Sequence, residues 1–366
     1  ATMDQRIVQL SRAARSNIVP FQVATPREML EKIDSSDVVL RWRTDSSSNL
    51  LRPRQLDAAF AAKRVYDVDP INTRKEGSHY IDFVNDCSAI TDKDLVSEQK
   101  SRFQTLAHDQ RRFTHAFVLA TGPSVRRFAD FSYEESFRIV CNSAIVDHDL
   151  MHAVRPHVVT FGDPIFHFGP SQYAAQFREQ LVAIAAKLDF CIITTLKNYR
   201  ILTASLPMLS DRVIALPFRV HRPFSYDLLS DFEVKTTNSI LSLLMIPIAS
   251  TFAPVVSILG ADGRPLSENT YFWKHNSSTQ INHKMGNIQA VHPAFFKLDY
   301  DDYYAKYCQT LADQFAAGQS EGFTFRSVCF SYVQALRSRS HSGIKYLQND
   351  RKDFAAAVIF DFDAVG

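Results

Sequence analysis

The 366-residue sequence predicts an α/β protein in which a doubly wound, mostly parallel sheet follows an N-terminal extension. Two observations predict it. From Ala116 onward seven short β-rich runs recur, "AFVLATG", "FRIVCNSAIV", "HVVTFGDP", "LDFCIITTL", "RVIALPF", "PVVSILGAD" and "FTFRSVCF", separated by segments of helical or loop length. Strands that alternate with such segments build parallel sheets, because each crossover returns the chain to the same end of the sheet. Several of these runs also stop at small or polar residues, and in parallel sheets those ends converge with helix N-termini at the edge where ligands bind. With 46% apolar residues and 28 Phe, the chain has ample material for a core.

Residues 1–113 are mixed in pattern and read as an N-terminal extension or small accessory domain. "TPREMLEKI" carries a helix signal, "DVVLRWRT" a strand signal, and "RPRQLDAAFAAKRVYDV" a helical stretch. Residues 114–335 form the α/β domain, and 336–366 a tail packing on its core. The one long apolar stretch, "SILSLLMIPIASTFAPVVSILG", contains Pro247 and Pro254 and fits a buried helix followed by a strand better than a lipid-facing helix.

A formal charge of +2, from 41 basic against 39 acidic side chains, creates no demand for a nucleic-acid partner. The basic clusters "RSNIVPFQVATPR" and "RSRSHSGIKYLQNDRK" leave open peripheral contact with an anionic membrane face, although solvated surface is the commoner use of such runs. Five cysteines, widely spaced and never in CxxC, argue against a disulfide framework or a zinc site and for a reducing compartment. The start "ATMDQRIVQLSRAARSN" has no hydrophobic signal core. The expectation is a cytoplasmic protein.

Four strand ends supply one candidate pocket: Gly122, Pro123 and Ser124 after the first run, Asn142 and Ser143 after the second, Asp163 after the third, Gly260 and Asp262 after the sixth. Gly122 to Ser124 can bring backbone N–H groups to a phosphate, or can be a turn with Ser124 as helix cap. Asn142 can read a sugar or base through its amide, or cap the strand. Asp163 precedes Pro164 with no basic residue within three positions. A carboxylate so placed can cap "PIFHF", or act as nucleophile, base or partner of an oxocarbenium ion. His292, before Pro293, reads as the N-cap of the helical pattern "PAFFKLDYDDYYAKYCQTLADQF", where imidazole can meet a phosphate or serve as acid or base. Tyr271 and His275 sit in a polar segment that reads as a lid.

Three D-x-D matches, at Asp67, Asp147 and Asp361, end no core strand clearly, so no metal requirement is expected. The absence of G-x-G-x-x-G, a P-loop lysine motif and G-x-S-x-G lowers dinucleotide, kinase and serine-hydrolase readings.

In this order, "ATGPS", "VCNSA", "FGDPIFHF", "TTNSILSLLM", "ILGAD", "YFWKH", "AVHPAFF" and "FRSVCFSY" resemble the sialyltransferase-like bacterial glycosyltransferases that use sugars activated by cytidine monophosphate. The similarity spans roughly residues 115–335. It implies a Rossmann-like fold in which Gly122, Ser124, Asn142, Asn238, Ser239 and Ser331 surround the cytidine phosphate, and in which His292 meets that phosphate or the acceptor hydroxyl. Two departures stand out: Ala120-Thr121 replaces the usual Gly-Asn, and Asp163 stands where sialyltransferases tend to have Asn. Asp163 is closer to what the β-Kdo transferases of capsule and lipopolysaccharide assembly are thought to use, a carboxylate in a retaining double displacement.

The resemblance thus implies transfer of a CMP-activated ulosonic acid, Kdo first and sialic acid second, to a glycan or glycolipid hydroxyl, with the CMP-sugar as donor substrate and no further cofactor. The same pattern also looks like pterin diphosphokinase relatives, which would need ATP and Mg²⁺. A non-catalytic nucleotide- or glycan-binding module is the third reading.

Overall fold

The computed structural model describes residues 27–28, 31–32, 38–42, 64–68, 92–110, 113–169, 171–265, 267–268, 278–292 and 295–339. Most of the two basic clusters, the lid segment with Tyr271 and His275, the Asp361 match and the tail beyond 339 lie outside them.

In the N-terminal part, β1 (Val38–Trp42) pairs in parallel with β2 (Arg64–Val68). The "RVYDV" end of the expected helical stretch is therefore a strand. Its valines and tyrosine favour extended backbone, and a strand partner overrides weak helical periodicity. Helix α1 (Asp92–Asp109) belongs to the main body. Its Phe103 is fully buried against Phe232 and Phe252, and Gln99 accepts a hydrogen bond from the Ala215 amide at 2.9 Å.

The main sheet among the described residues has seven strands, matching the seven runs one for one: β3 (His115–Leu119), β4 (Ser136–Cys141), β5 (Val158–Thr160), β6 (Cys191–Thr195), β7 (Val213–Leu216), β10 (Val255–Leu259) and β11 (Thr324–Ser327). The short pair β8 (Phe218–Arg219) and β9 (Val234–Lys235) forms a separate ribbon. The order is β11-β10-β3-β4-β5-β6-β7 and every pairing is parallel. The chain walks outward from β3 to β7, then crosses back to lay β10 on the other side of β3. The β3/β10 junction is thus the topological switch point.

Successive strand residues serve opposite faces. Ala116, Val118, Phe137 and Ile139 join the core under α1, α6 (Ile246–Phe252) and α8 (Tyr300–Ser320). Phe117, Leu119 and Val140 join the core under α2 (His148–Val154), α4 (Gln172–Ala185) and α5 (Leu196–Ser205). Both faces being covered, the strands are apolar throughout rather than alternating with polar residues. The apolar stretch 239–260 divides as expected into a helical part and β10. The helical part opens as a π-helix, Leu241–Met245, before Pro247 enters the first turn of α6. No helix among the described residues is long and apolar enough to cross a membrane.

Candidate active site

A cavity of about 730 Å³ opens at the carboxyl ends of β3, β4, β5 and β6. The chain turns from strand to helix repeatedly on its floor. Asn142 begins a 3-10 turn, α3 (Pro164–Phe168) starts after Asp163, α5 after Thr195, and the π-helix after Ile240. At the π-helix start the Ser242 amide is taken by the Ser239 hydroxyl at 3.3 Å.

Asp163 has one oxygen for structure and one for the cavity. Its Oδ1 caps α3 by accepting from the Ile165 and Phe166 amides at 2.8 and 3.3 Å. Its Oδ2 lies 3.4 Å from His292 Nε2, and the side chain keeps 32% of its surface exposed. Burial works against the carboxylate form, but the His292 hydrogen bond and charge, then the His167 charge and the Ile165 amide, outweigh it and hold Asp163 below the usual carboxylate range. His167 donates from Nδ1 to the Asp163 carbonyl. Burial pushes that imidazole down to about 4, so it is neutral at physiological pH.

His292 corrects a sequence expectation. It is the residue that ends α7 (Met285–Val291), its amide bonding the Ile288 carbonyl at 2.7 Å. Helix α8 starts only at Tyr300, capped by Asp299, whose side chain accepts from the Asp301 and Asp302 amides. Proline at a first helical position is a preference, and an Asp with free reach to two amides makes the stronger cap. His292 therefore stands at the negative end of a short helix, with its ring packed on Phe166 and Phe295. Asp147 likewise caps α2 by accepting from Leu150.

Asn142 adopts the left-handed region at φ 48°, where Asn is among the best tolerated side chains, and its Oδ1 accepts from the Gly162 amide at 3.1 Å. Asn198 Nδ2 donates to the Gly162 carbonyl at 3.2 Å, so the loop carrying Asp163 is gripped from both neighbouring strands. On the opposite wall Asn238 donates from Nδ2 to the Tyr303 carbonyl, while the Tyr303 hydroxyl donates back to the Asn238 carbonyl. Ser239 and Thr237 share Ser242 at 2.8 Å each. Ser143 and Tyr173 meet at Gln280. Asn142, Ser143, Asp163, Asn238, Ser239 and His292 all line the cavity.

The remaining strand-end residues do something else. Asp262 accepts from the Ser124 amide at 3.1 and 3.2 Å and from the Ser124 hydroxyl at 3.1 Å. That hydroxyl accepts from the Gly260 amide at 3.1 Å, and the Gly122 amide donates to the Gly260 carbonyl at 2.8 Å. A Cβ on Gly122 would sit 2.2 Å from Asp262 Oδ2, so only glycine fits. Gly260 has φ +78° and lies against the Ala120 carbonyl. Ser331 donates to the Ala261 carbonyl at 2.7 Å, and Pro123 starts a 3-10 helix. Together these groups clamp the ends of β3 and β10 and sit apart from the cavity wall. Burial, opposed by the Ser124 bonds, pushes the Asp262 carboxyl up to about 6.

Gln280, Tyr173, Tyr303 and Asn198 line the cavity without having been anticipated. Tyr173 and Tyr303 sit inside helices whose periodicity marks them as core. Gln280 is one polar residue in a polar run and carries no local signal. Among the described residues no group of three or more His, Cys, Asp or Glu side chains is placed to hold a metal ion.

No family model and no curated protein matches the chain. Among solved structures it is similar to the monofunctional α-2,3-sialyltransferase Cst-I of Campylobacter jejuni, at 13% identity over 65% of this chain and 86% of that one, with a TM-score of 0.34. A second is the sialyltransferase CstII of the same organism in complex with the substrate analogue CMP-3FNeuAc, at 10% identity over 65% and 92%, TM-score 0.33.

Proposed function

We propose that the protein is a glycosyltransferase that moves a CMP-activated ulosonic acid, Kdo or sialic acid, onto a glycan hydroxyl, with Asp163 as nucleophile and net retention of configuration. One observation carries this reading: an ionised carboxylate, pinned through one oxygen, turns its other oxygen and a third of its surface to a strand-end cavity beside His292. The order of motifs along the chain supplies the donor class. The amide and hydroxyl groups around the cavity, with Lys197 on its wall, suit an anionic donor whose bond to phosphate is already weak, needing neither metal nor cofactor.

In this mechanism Asp163 Oδ2 attacks the anomeric carbon, the bond from that carbon to the phosphate oxygen breaks, and CMP leaves with the electron pair. The acceptor hydroxyl then displaces the Asp163 carboxylate while His292 takes its proton. Asp163 is more exposed than His292, whose side chain keeps only 10% of its surface, which favours the carboxylate as the group that meets the sugar first.

A thermal-shift panel tests the donor class. CMP at about a hundred times its dissociation constant should stabilise the fold by roughly 2.7 kcal/mol, unchanged by EDTA. Stabilisation by UDP, or by ATP with Mg²⁺, and not by CMP would overturn the assignment, the ATP result favouring a diphosphokinase. Intact-mass detection of a glycosyl adduct with CMP-Kdo or CMP-sialic acid, beside NMR of the product linkage, tests the mechanism. Inversion without an adduct would make His292 the base of a single displacement.

A further inference from the structure

We propose that Gln280 reads the carboxylate of the donor sugar through the N–H groups of its side-chain amide, an inference that rests on the CMP-ulosonate reading above. Gln280 lines the cavity yet is only 7% exposed, so its polar atoms must be used by the protein or by a ligand. Its Oε1 accepts from the Ser143 hydroxyl at 2.8 Å and from the Tyr173 hydroxyl at 3.1 Å. Those two donors occupy both lone pairs of the amide oxygen, which leaves the nitrogen face for the cavity. Ser143 and Tyr173 are themselves buried. Burial pushes the Tyr173 phenol up to about 12, so it stays an O–H donor and the amide keeps one orientation across the working pH range.

Asn142, next in the chain to Ser143, is arranged the same way, its Oδ1 taken by the Gly162 amide. The wall beside Asp163 therefore carries two carboxamides locked by their oxygens. An ulosonic acid bears its carboxylate on the anomeric carbon, the atom that Asp163 must reach, so two negative groups are brought close together. Asp163 already faces His292 at 3.4 Å, and a further cation at that point would draw its carboxylate away from the anomeric carbon. Neutral N–H donors hold the substrate carboxylate without competing for the Asp163 carboxylate. An aldose donor has no carboxylate, and would leave a buried amide unpaired, which disfavours it.

Gln280→Glu keeps an oxygen for Ser143 and Tyr173 and removes the N–H donors. Gln280→Met serves where Glu lowers the melting temperature. Affinities of the full chain for CMP, and for the inert 3-fluoro analogues of CMP-sialic acid and CMP-Kdo, are measured for wild type and variant. The wild type should bind one analogue more tightly than CMP. The variant should bind CMP within about twofold of wild type and the analogue about 30-fold more weakly, the range expected for hydrogen bonds to a charged group. Equal weakening of CMP would place Gln280 on the phosphate, and an unchanged analogue affinity would leave it without a substrate role; either overturns the proposal. A wild type that binds CMP but gains nothing from the sugar overturns it as well, while a wild type that ignores CMP removes the transferase reading itself.

Discussion

Two clusters of polar strand-end residues lie on the same edge of the sheet and behave oppositely. At the β3/β10 switch point, where open α/β sheets commonly bind ligands, Ser124, Asp262, Gly260 and Gly122 bond one another and leave no room for an added methyl. At the ends of β4 and β5, Asn142 and Asp163, joined by Gln280 from the β10–β11 connection, each satisfy one atom with the protein and turn another to a cavity of about 730 Å³. An aspartate sits in each, Asp262 in one and Asp163 in the other. What separates a clamp from a binding wall is whether the hydrogen-bonding capacity is used up inside the protein.

The largest effect that could break this comparison concerns Asp163. Asp163→Asn keeps an oxygen for the Ile165 and Phe166 amides, so the fold and CMP affinity should persist while turnover falls about a thousandfold or more. Steady-state kinetics beside calorimetric CMP binding checks this, and a variant with a tenth of wild-type activity would remove the carboxylate from the chemistry.

On the clamp side the loss should be in stability. Gly122→Ala forces a methyl against Asp262 and the Gly260 carbonyl, and a cost of about 3 kcal/mol is expected from overpacking at backbone. Chemical denaturation measures it; an unchanged midpoint would mean that the β3 and β10 ends part easily.

The smallest effect sharpens the contrast through pH. Burial pushes the Asp262 carboxyl up to about 6 from the ordinary 3.8. Between those values the folded chain holds a proton that the unfolded chain has lost, so this group's contribution is fully present below pH 3.8 and lost as pH rises through about 6. Asp262→Asn cannot ionise and keeps an oxygen for the Ser124 amide. Its melting temperature relative to wild type should therefore climb from pH 4 to pH 7, and a difference that stays level or falls would contradict a carboxyl group raised by burial.

Much of the frame is legible in the sequence because it follows from local composition. Seven apolar β-rich runs can hardly do anything but form strands, and the helical crossovers make them parallel. Asp163 before Pro164 announces a helix start, and the small residues Gly122 and Gly260 announce close backbone approach. The misreadings are also local. "RVYDV" was masked by its helix-like neighbours, and Pro293 drew the helix start toward His292 when Asp299 supplied the better cap.

By itself, then, the sequence determined the seven strands of the main sheet, which residues end them, and that the sheet has two apolar faces. Which of those ends meet was decided only in three dimensions, by the order β11-β10-β3-β4-β5-β6-β7. Ser124 finds Asp262 across 138 residues and Ser143 finds Gln280 across 137. Placing β10 beside β3 closed one set of strand ends into a clamp, and the crossovers back over β4 and β5 delivered His292 and Gln280 to the other. Contacts of that range depend on strand order and crossover path, which no local window of residues encodes, and they assign Ser124 to the scaffold and Asp163 to the cavity.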